Sequence, residues 1–258
     1  MYSRQLSGQC KGNYCKRNEA CMPKGLNYYC VPLSNIFPEC GTKLRPRDCS
    51  DLPVGSASGV YTIYPTNAIF DVYCEMDTAG FGWTVFQSRM NGSTDFYRGW
   101  IDYENGFGSL TSEFWLGNKF IHLLTSTGDY KLYVHLEDFE GKSAYAEYSG
   151  FSLGGTATDH TLNVGGYCGT AGDSLVSNDE RTQNGMMFSS YDKDNDRSPK
   201  SCELQYKGAW WYSWCHRSNL NGQYLGGKHL STADGINWAT WRGVRYSLKS
   251  TKMMIKLH

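Results

Sequence analysis

Ten cysteines constrain this 258-residue chain more than any other feature. Cys10, Cys15, Cys21, Cys30, Cys40 and Cys49 crowd the first fifth, whereas Cys74, Cys168, Cys202 and Cys215 are spread over the remainder. An even count at this density points to an oxidising compartment. No Cys-x-x-Cys occurs, which argues against zinc and thioredoxin chemistry. The simplest organisation is a small stapled segment followed by a larger domain with its own hydrophobic core. Val31-Pro-Leu-Ser-Asn-Ile-Phe-Pro38 reads as a linker, because its prolines oppose regular structure. The expected division is a cysteine-rich segment with linker over 1–39 and a cored domain over 40–258.

Lys plus Arg equals Asp plus Glu at 25 each, so bulk charge supports neither a nucleic-acid nor an anionic-membrane partner. High tyrosine, tryptophan and glycine with a low charged fraction fit a loop-rich extracellular domain. No apolar run is long enough to span a bilayer. Met1-Tyr-Ser-Arg-Gln-Leu-Ser-Gly8 lacks the apolar core of a signal peptide, so a secreted chain would be a fragment or mature form.

Alternation predicts strands over Ser58–Tyr64, Phe70–Met76, Trp83–Gln87, Ala144–Phe151 and His160–Val164. Tyr130, Leu132, Val134 and Leu136 alternate with Lys131, Tyr133, His135 and Glu137, the mark of a half-buried strand. Thr111–Gly117 and Lys119–Leu124 carry helical spacing interrupted at Gly117, with no capping box at Thr111 or Ser112. After residue 165 periodicity decays, and loops held by something other than secondary structure are expected.

Within that region, residues 192–216 join an aspartate run, a short Cys202–Cys215 interval, aromatic residues and His216. Asp192, Asp194 and Asp196 alternate, so their carboxylates can converge on a cation if the backbone turns. Asp192, Asp194, Asp196 and Glu203 have the offsets of EF-hand positions 1, 3, 5 and 12. Arg197 stands where that loop needs glycine, and Pro199 opposes paired helices. An aspartate run in isolation is more often a solvated acidic turn. A tyrosine, tryptophan or lone histidine is likewise more often packing than ligand contact. No nucleophile elbow, His-Glu-x-x-His, phosphate loop or dinucleotide fingerprint is present, and a non-enzymatic protein is expected.

Motifs spread over four-fifths of the sequence resemble the fibrinogen-related (fibrinogen C-terminal-like) domain. They are Arg47-Asp-Cys-Ser-Asp-Leu52, Gly59-Val-Tyr-Thr-Ile-Tyr64, Val72-Tyr-Cys-Glu-Met-Asp77, Gly82-Trp-Thr-Val-Phe-Gln87 and Asp95-Phe-Tyr-Arg-Gly-Trp100. Gly106-Phe-Gly108, Glu113-Phe-Trp-Leu-Gly-Asn118, Thr170-Ala-Gly-Asp-Ser174, Gly208-Ala-Trp-Trp-Tyr212, Cys215-His-Arg-Ser-Asn-Leu-Asn-Gly222 and Gly235-Ile-Asn-Trp238 continue the pattern. The Cys10, Cys15, Cys21, Cys30 spacing resembles the start of an EGF-like module, although Pro32 stands where the next cysteine belongs. That layout is similar to tenascin-type matrix proteins and to several invertebrate lectins.

The resemblance implies an α+β fold with a central twisted antiparallel sheet, flanking helices and a loop-rich calcium-binding subdomain. It implies the bonds Cys49–Cys74 and Cys202–Cys215, and the EGF-like start implies Cys10–Cys21 and Cys15–Cys30. Cys40 and Cys168 remain and are expected to pair, with free thiols or an intermolecular bond as the alternative. The family places calcium on the side chains of Asp194 and Asp196 and the carbonyls of Ser198 and Lys200, leaving Asp192 out. It implies a cis peptide at Trp214–Cys215 that aims the N–H groups of Cys215 and His216 into a pocket.

Acetyl-binding members of ficolin/tachylectin type place Tyr206 and His216 on the pocket wall and Ala233 at the small position for the methyl group. Thr232 stands where several of them have tyrosine, while Tyr224 and Trp238 read as neighbours or packing. Fibrinogen's own peptide-amine pocket uses flanking acids, and here only Asp234 is acidic nearby. The implied function is a secreted calcium-dependent lectin for acetylated ligands such as N-acetylated glycans or microbial cell-wall sugars, in innate immune pattern recognition. The alternative is a matrix or adhesion/signalling protein that binds matrix or receptor proteins. Weak single contacts make a homo-oligomer the expectation, and Asn91-Gly-Ser93 is a candidate N-glycan site.

Overall fold

A computed structural model describes residues 19–24, 27–32 and 45–258. The protein divides into two units, Met1–Arg45 and Pro46–His258.

In the first unit β1 (Glu19–Lys24) and β2 (Asn27–Pro32) form an antiparallel hairpin with Cys21 opposite Cys30. Cys30 is disulfide-bonded. The expected pairs Cys10–Cys21 and Cys15–Cys30 involve Cys10 and Cys15, which lie outside the described residues, as does Cys40. Val31 and Pro32 complete β2 rather than opening the linker. Pro32 is tolerated because it ends a strand, where no ladder donor is needed.

The second unit is built on a nine-stranded sheet. Its N-terminal strands are β3 (Gly59–Ile63), β4 (Phe70–Glu75) and β5 (Trp83–Arg89). A short helix α1 (Trp100–Asn105), strands β6 (Phe107–Gly108) and β7 (Phe114–Trp115), and helix α2 (Asn118–Thr125) follow. Next come β8 (Tyr130–Glu137), β9 (Ser143–Leu153) and β10 (Leu162–Gly169). Helix α3 (Cys202–Tyr206) and the short strands β11 (Ser218–Asn219), β12 (Gly227–Lys228), β13 (Asn237–Trp238) and β14 (Tyr246–Ser247) punctuate the irregular C-terminal region. The final strand, β15 (Ser250–Leu257), returns to the sheet. The order is β10-β9-β8-β15-β5-β4-β3, with β7 on β5 and β6 on β7, all antiparallel.

β8 buries Tyr130, Leu132, Val134 and Leu136 and leaves the alternate residues half-exposed, as its pattern requires. Every residue of β5 is buried, including Gln87 and Arg89. Gln87 Nε2 donates to the Leu220 carbonyl at 3.0 Å, and Arg89 Nη1 donates to those of Leu220 (3.1 Å) and Gly222 (2.9 Å). The sheet thus holds the irregular C-terminal region through side-chain donors.

Two expectations need correction. The helical spacing over 111–117 is not a helix: Phe114 and Trp115 form β7, and α2 begins only at Asn118. Gly117 has φ +111°, which breaks any helix, and its backbone passes so close to Asn105 that an added Cβ would lie 2.8 Å from the Asn105 carbonyl carbon. Residues beyond 165 are not only loops, since β10 runs to Gly169 and β15 lies between β5 and β8. A register shift between Met253 and Met254 breaks the alternation that would have announced β15. Cys168 is a free, exposed thiol, and Cys40, its expected partner, lies outside the described residues. Cys168 sits on β10, an edge strand paired only with β9 along the sheet, with its side chain toward solvent. Cys49–Cys74 and Cys202–Cys215 are both formed.

Candidate functional site

The aspartate loop is curled by short side-chain-to-backbone hydrogen bonds, which suit a segment without ladder partners. Asp194 Oδ1 accepts from Asp196 N (3.2 Å), and Asp196 Oδ1 accepts from Ser198 N (2.6 Å). Asp196 Oδ2 accepts from Cys202 N (2.8 Å), which ties the loop to the start of α3. Asn195 Nδ2 donates to the Phe188 carbonyl (2.7 Å), and Arg197 N donates to that of Ser213 (3.2 Å), anchoring the flanks.

The outcome is a cluster in which one carboxylate oxygen each from Asp194, Asp196 and Glu203 lie within 4.8 Å of one another. No lysine or arginine pairs with these three among the described residues. Burial raises the Asp196 carboxyl, opposed by the Cys202 and Ser198 N–H groups and reinforced by Asp194. Burial pushes Glu203 up to about 7.

Calcium–oxygen distances are about 2.3–2.6 Å, so oxygens on opposite sides of one ion are about 5 Å apart. The cluster meets that limit with a donor set of hard oxygens only. The carbonyls of Ser198 and Lys200 accept no hydrogen bond from the described residues, so their lone pairs are uncommitted. Asp192 is engaged elsewhere: its Oδ1 accepts from Trp100 N at 2.7 Å, at the start of α1, and from Ser190 Oγ at 2.8 Å.

Beside this loop the end of α3, Cys215–His216 and the Thr232–Ala233 turn come together, and the surface they share is the candidate recess. Ser201 caps α3, and Lys207 ends it in the left-handed region at φ +52°. Tyr206, at the last turn, meets the His216 ring edge-on at 4.7 Å. The peptide Trp214–Cys215 is cis. His216 Nε2 lies 3.0 Å from the Ala233 carbonyl. A carbonyl only accepts, so Nε2 carries the proton. Burial pushes His216 down to about 4, against the opposing bond to Ala233, so the ring is neutral. Its Nδ1 is then a buried acceptor with no hydrogen-bond partner.

The N–H groups of Cys215 and His216 donate to no acceptor among the described residues. Thr232 is exposed, and its Oγ1 accepts from Arg245 Nε at 3.3 Å. Ala233 is buried at φ +66°, with its N–H on the Val244 carbonyl at 2.7 Å. Trp238 is fully buried and donates to the Gly172 carbonyl at 2.8 Å, a packing role. Tyr224 donates to the Met90 and Lys249 carbonyls, away from these residues. Asp234 lies 3.7 Å from His229. A wider cavity of about 740 Å³ adjoins the recess through Arg245 and is lined also by Lys228, His229, Trp241 and Arg242.

Asn219 was absent from the sequence-based candidates, yet it joins the two walls. Its Nδ2 donates to the carbonyls of Tyr206 (3.2 Å) and Ala233 (3.4 Å), and its Oδ1 accepts from Tyr212 Oη (2.7 Å). The available signal was its place inside the Cys215–Gly222 motif. Asn91 is exposed, in a turn whose N–H groups at Met90, Asn91, Gly92 and Thr94 all donate to the buried Glu113 carboxylate.

Residues 45–258 match the family described as fibrinogen beta and gamma chains, C-terminal globular domain. The human fibrinogen C domain-containing protein 1 is 50% identical over 226 residues, covering 84% of this chain and 48% of the relative. Fibrinogen C domain-containing protein 1-A of Xenopus laevis is 47% identical over 236 residues, covering 88% and 50%. The sequence therefore spans about half the length of these relatives. Among solved structures, the fibrinogen-like globe domain of human ANGPTL2 superposes with a TM-score of 0.77 at 40% identity, covering 82% of this protein and 99% of that one. Lamprey fibrin D-dimer, complexed with the peptide ligand Gly-His-Arg-Pro-amide, gives a TM-score of 0.77 at 38% identity, covering 83% and 74%. With sheet, disulfides and matched length in agreement, the protein belongs to the family of the C-terminal globular domain of fibrinogen beta and gamma chains.

Proposed function

We propose that this protein is a non-enzymatic extracellular recognition protein that binds other proteins through its fibrinogen-like domain. The binding face is the recess between α3, the Trp214–Cys215 peptide and the Thr232–Ala233 turn. The observation that carries this reading is the pair of uncommitted N–H groups at Cys215 and His216 beside Tyr206 and a neutral histidine. Such an arrangement can receive a ligand carbonyl on its two donors, with an aromatic ring beside it, which suits a peptide group or amide. A peptide-bound fibrin among the structural neighbours supports the protein reading.

Calcium bound by Asp194, Asp196 and the carbonyls of Ser198 and Lys200 would order the segment leading into Cys202, and with it the recess. The cysteine-rich first unit, read as EGF-like, and self-association suit an adhesive protein that gains strength from several weak contacts.

One observation favours an acetylated ligand, such as an N-acetylated glycan, as a second reading. Ala233 is the small residue at the position where acetyl-binding members seat the methyl group, and the Asp234 carboxylate lies 3.7 Å from His229. An N-acetylglucosamine resin at millimolar calcium separates the two. The protein reading expects no retention there, with calcium-dependent binding to immobilised matrix or receptor proteins that Tyr206→Ala abolishes. Retention released by EDTA or free acetate, with no protein binding, transfers the site to acetylated glycans.

A further inference from the structure

Glu203 is left over from the recognition reading, and its setting is unusual. It occupies the second position of α3 and is wholly buried. Its Oε2 accepts from Ser201 Oγ at 2.6 Å, while Oε1 is buried with no hydrogen-bond partner. A carboxylate oxygen of Glu203 lies within 4.8 Å of one from Asp194 and one from Asp196. Proteins rarely bury a carboxylate oxygen without a donor or a cation, because the lost hydration is not replaced. Here no basic side chain answers the cluster among the described residues.

We infer that Glu203 is a third carboxylate ligand of the calcium site, and that through it the ion fixes α3 and therefore the position of Tyr206. The inference rests on the calcium reading above. It adds a ligand that the family resemblance does not supply, since that resemblance gives only Asp194, Asp196 and the carbonyls of Ser198 and Lys200.

The sequence holds half of the explanation. Glu203 has the offset of the closing glutamate of an EF-hand loop, although Arg197 denies the segment that loop's glycine turn. The structure reaches a similar end by another route. Cys202 N donates to Asp196 Oδ2, so α3 starts against the aspartates and its first turn delivers Glu203 to them. Three residues later the same helix ends in Tyr206, which packs on His216. Ion, helix and recess are therefore joined within five residues. A third carboxylate raises the charge of the site, which strengthens calcium binding.

The test is calorimetric titration of the calcium-stripped 258-residue protein with calcium chloride. Wild type, Glu203→Gln, Glu203→Asp and Asp196→Asn are compared, each checked for folding by near-UV circular dichroism. Loss of partner groups around a metal commonly lowers affinity about 10- to 100-fold, so Glu203→Gln should bind calcium at least about tenfold more weakly. Glu203→Asp, which keeps the charge at shorter reach, should fall between Glu203→Gln and wild type, and Asp196→Asn should lose binding. A second readout is thermal. In EDTA Glu203→Gln should melt at or above wild type, because a buried unpaired carboxylate is gone, and in calcium it should melt below wild type. Wild-type affinity in Glu203→Gln, with wild type itself binding, overturns this inference alone. A wild type that binds no calcium overturns the calcium reading and this inference together.

Discussion

Replacing Asn219 with alanine should unfold the molecule more easily by about 3–4 kcal/mol, reckoned from about 1–3 kcal/mol for each buried polar group left without a partner. Asn219 is completely buried. Its removal orphans the hydroxyl of Tyr212, itself fully buried, whose bond to Oδ1 is 2.7 Å. It also takes the donor at 3.2 Å from the Tyr206 carbonyl. The Ala233 carbonyl adds little to the loss, since its bond to Asn219 is 3.4 Å and His216 Nε2 remains at 3.0 Å.

Urea unfolding at fixed calcium with disulfides intact measures the loss. Tyr212→Phe removes the other end of the shortest bond. The double variant should then be more stable than the sum of the single effects predicts, by about 1–2 kcal/mol, because the two share one interaction. Asn219→Asp keeps size and the Tyr212 bond but turns a carboxylate toward two carbonyls, and near neutral pH it should be no better tolerated than alanine. A cost for Asn219→Ala below about 1 kcal/mol, or strict additivity with Tyr212→Phe, refutes the reasoning.

His216 is pushed by burial from its ordinary 6.5 down to about 4. Its contribution is therefore whole above 6.5 and is lost as pH falls from 6.5 through about 4, where the unfolded protein binds a proton that the folded one refuses. The loss should approach about 3 kcal/mol; denaturation from pH 4 to 7.5 should show a shallower acid slope in His216→Gln, and equal slopes would sink the assignment. Burial opposes charge on Glu113, yet four backbone N–H groups outweigh it and hold its carboxyl below the usual range, with Arg89 Nε 3.8 Å away. Glu113→Gln should cost about 3–5 kcal/mol by leaving buried Arg89 unpaired, and a change under about 1 kcal/mol in urea midpoint analysis would contradict it. Cys168, free and exposed, should be alkylated by iodoacetamide in the native, unreduced protein, and Cys168→Ser should leave stability within about 0.5 kcal/mol; a peptide map in which Cys168 reacts only after reduction overturns this.

The strands that cover one face of a core were legible because burial on that face writes itself as alternation. β8 is the clearest case, with Tyr130, Leu132, Val134 and Leu136 turned inward. β5 was legible in position but not in meaning. Nothing in the sequence marks the polar Gln87 and Arg89 as buried, yet the C-terminal region covers them and takes their donors. β15 went unread because its bulge at Met253/Met254 puts successive apolar residues inside. In the recess, His216 and Tyr206 were found through their place in a family pattern, while Asn219 was not. A buried amide that bonds to main chain has no spacing rule, since its partners at Tyr206 and Ala233 are set by tertiary structure alone. Glu203 was noticed for its offset and then set aside with the EF-hand, because spacing could not show that α3 begins against Asp196.

These amides and carboxylates explain how a region with little secondary structure can hold a site. The irregular segment has few ladders, so its buried carbonyls must find donors elsewhere. Asn221 Nδ2 serves Ala209, Gln183 Nε2 serves Ser218, and Asn237 Nδ2 serves Tyr246. Arg89 serves Leu220 and Gly222, the residues that bracket Asn221, and Asn219 in turn serves both walls of the recess. Glu113 faces Arg89 and gathers the turn that carries Asn91. Hydrogen bonds from that turn to Glu113, the Glu113–Arg89 ion pair and the Arg89 bonds to Leu220 and Gly222 therefore link the turn through β5 to the segment that carries Asn219. Cys202–Cys215 and the calcium proposed above would brace only the α3 side. On the opposite side the sheet itself must be the brace, so Arg89→Met should weaken ligand binding in the recess even where the calcium affinity of the loop is unchanged. Equal ligand affinity in a folded Arg89→Met variant would show that the recess is held by the ion and the disulfide alone.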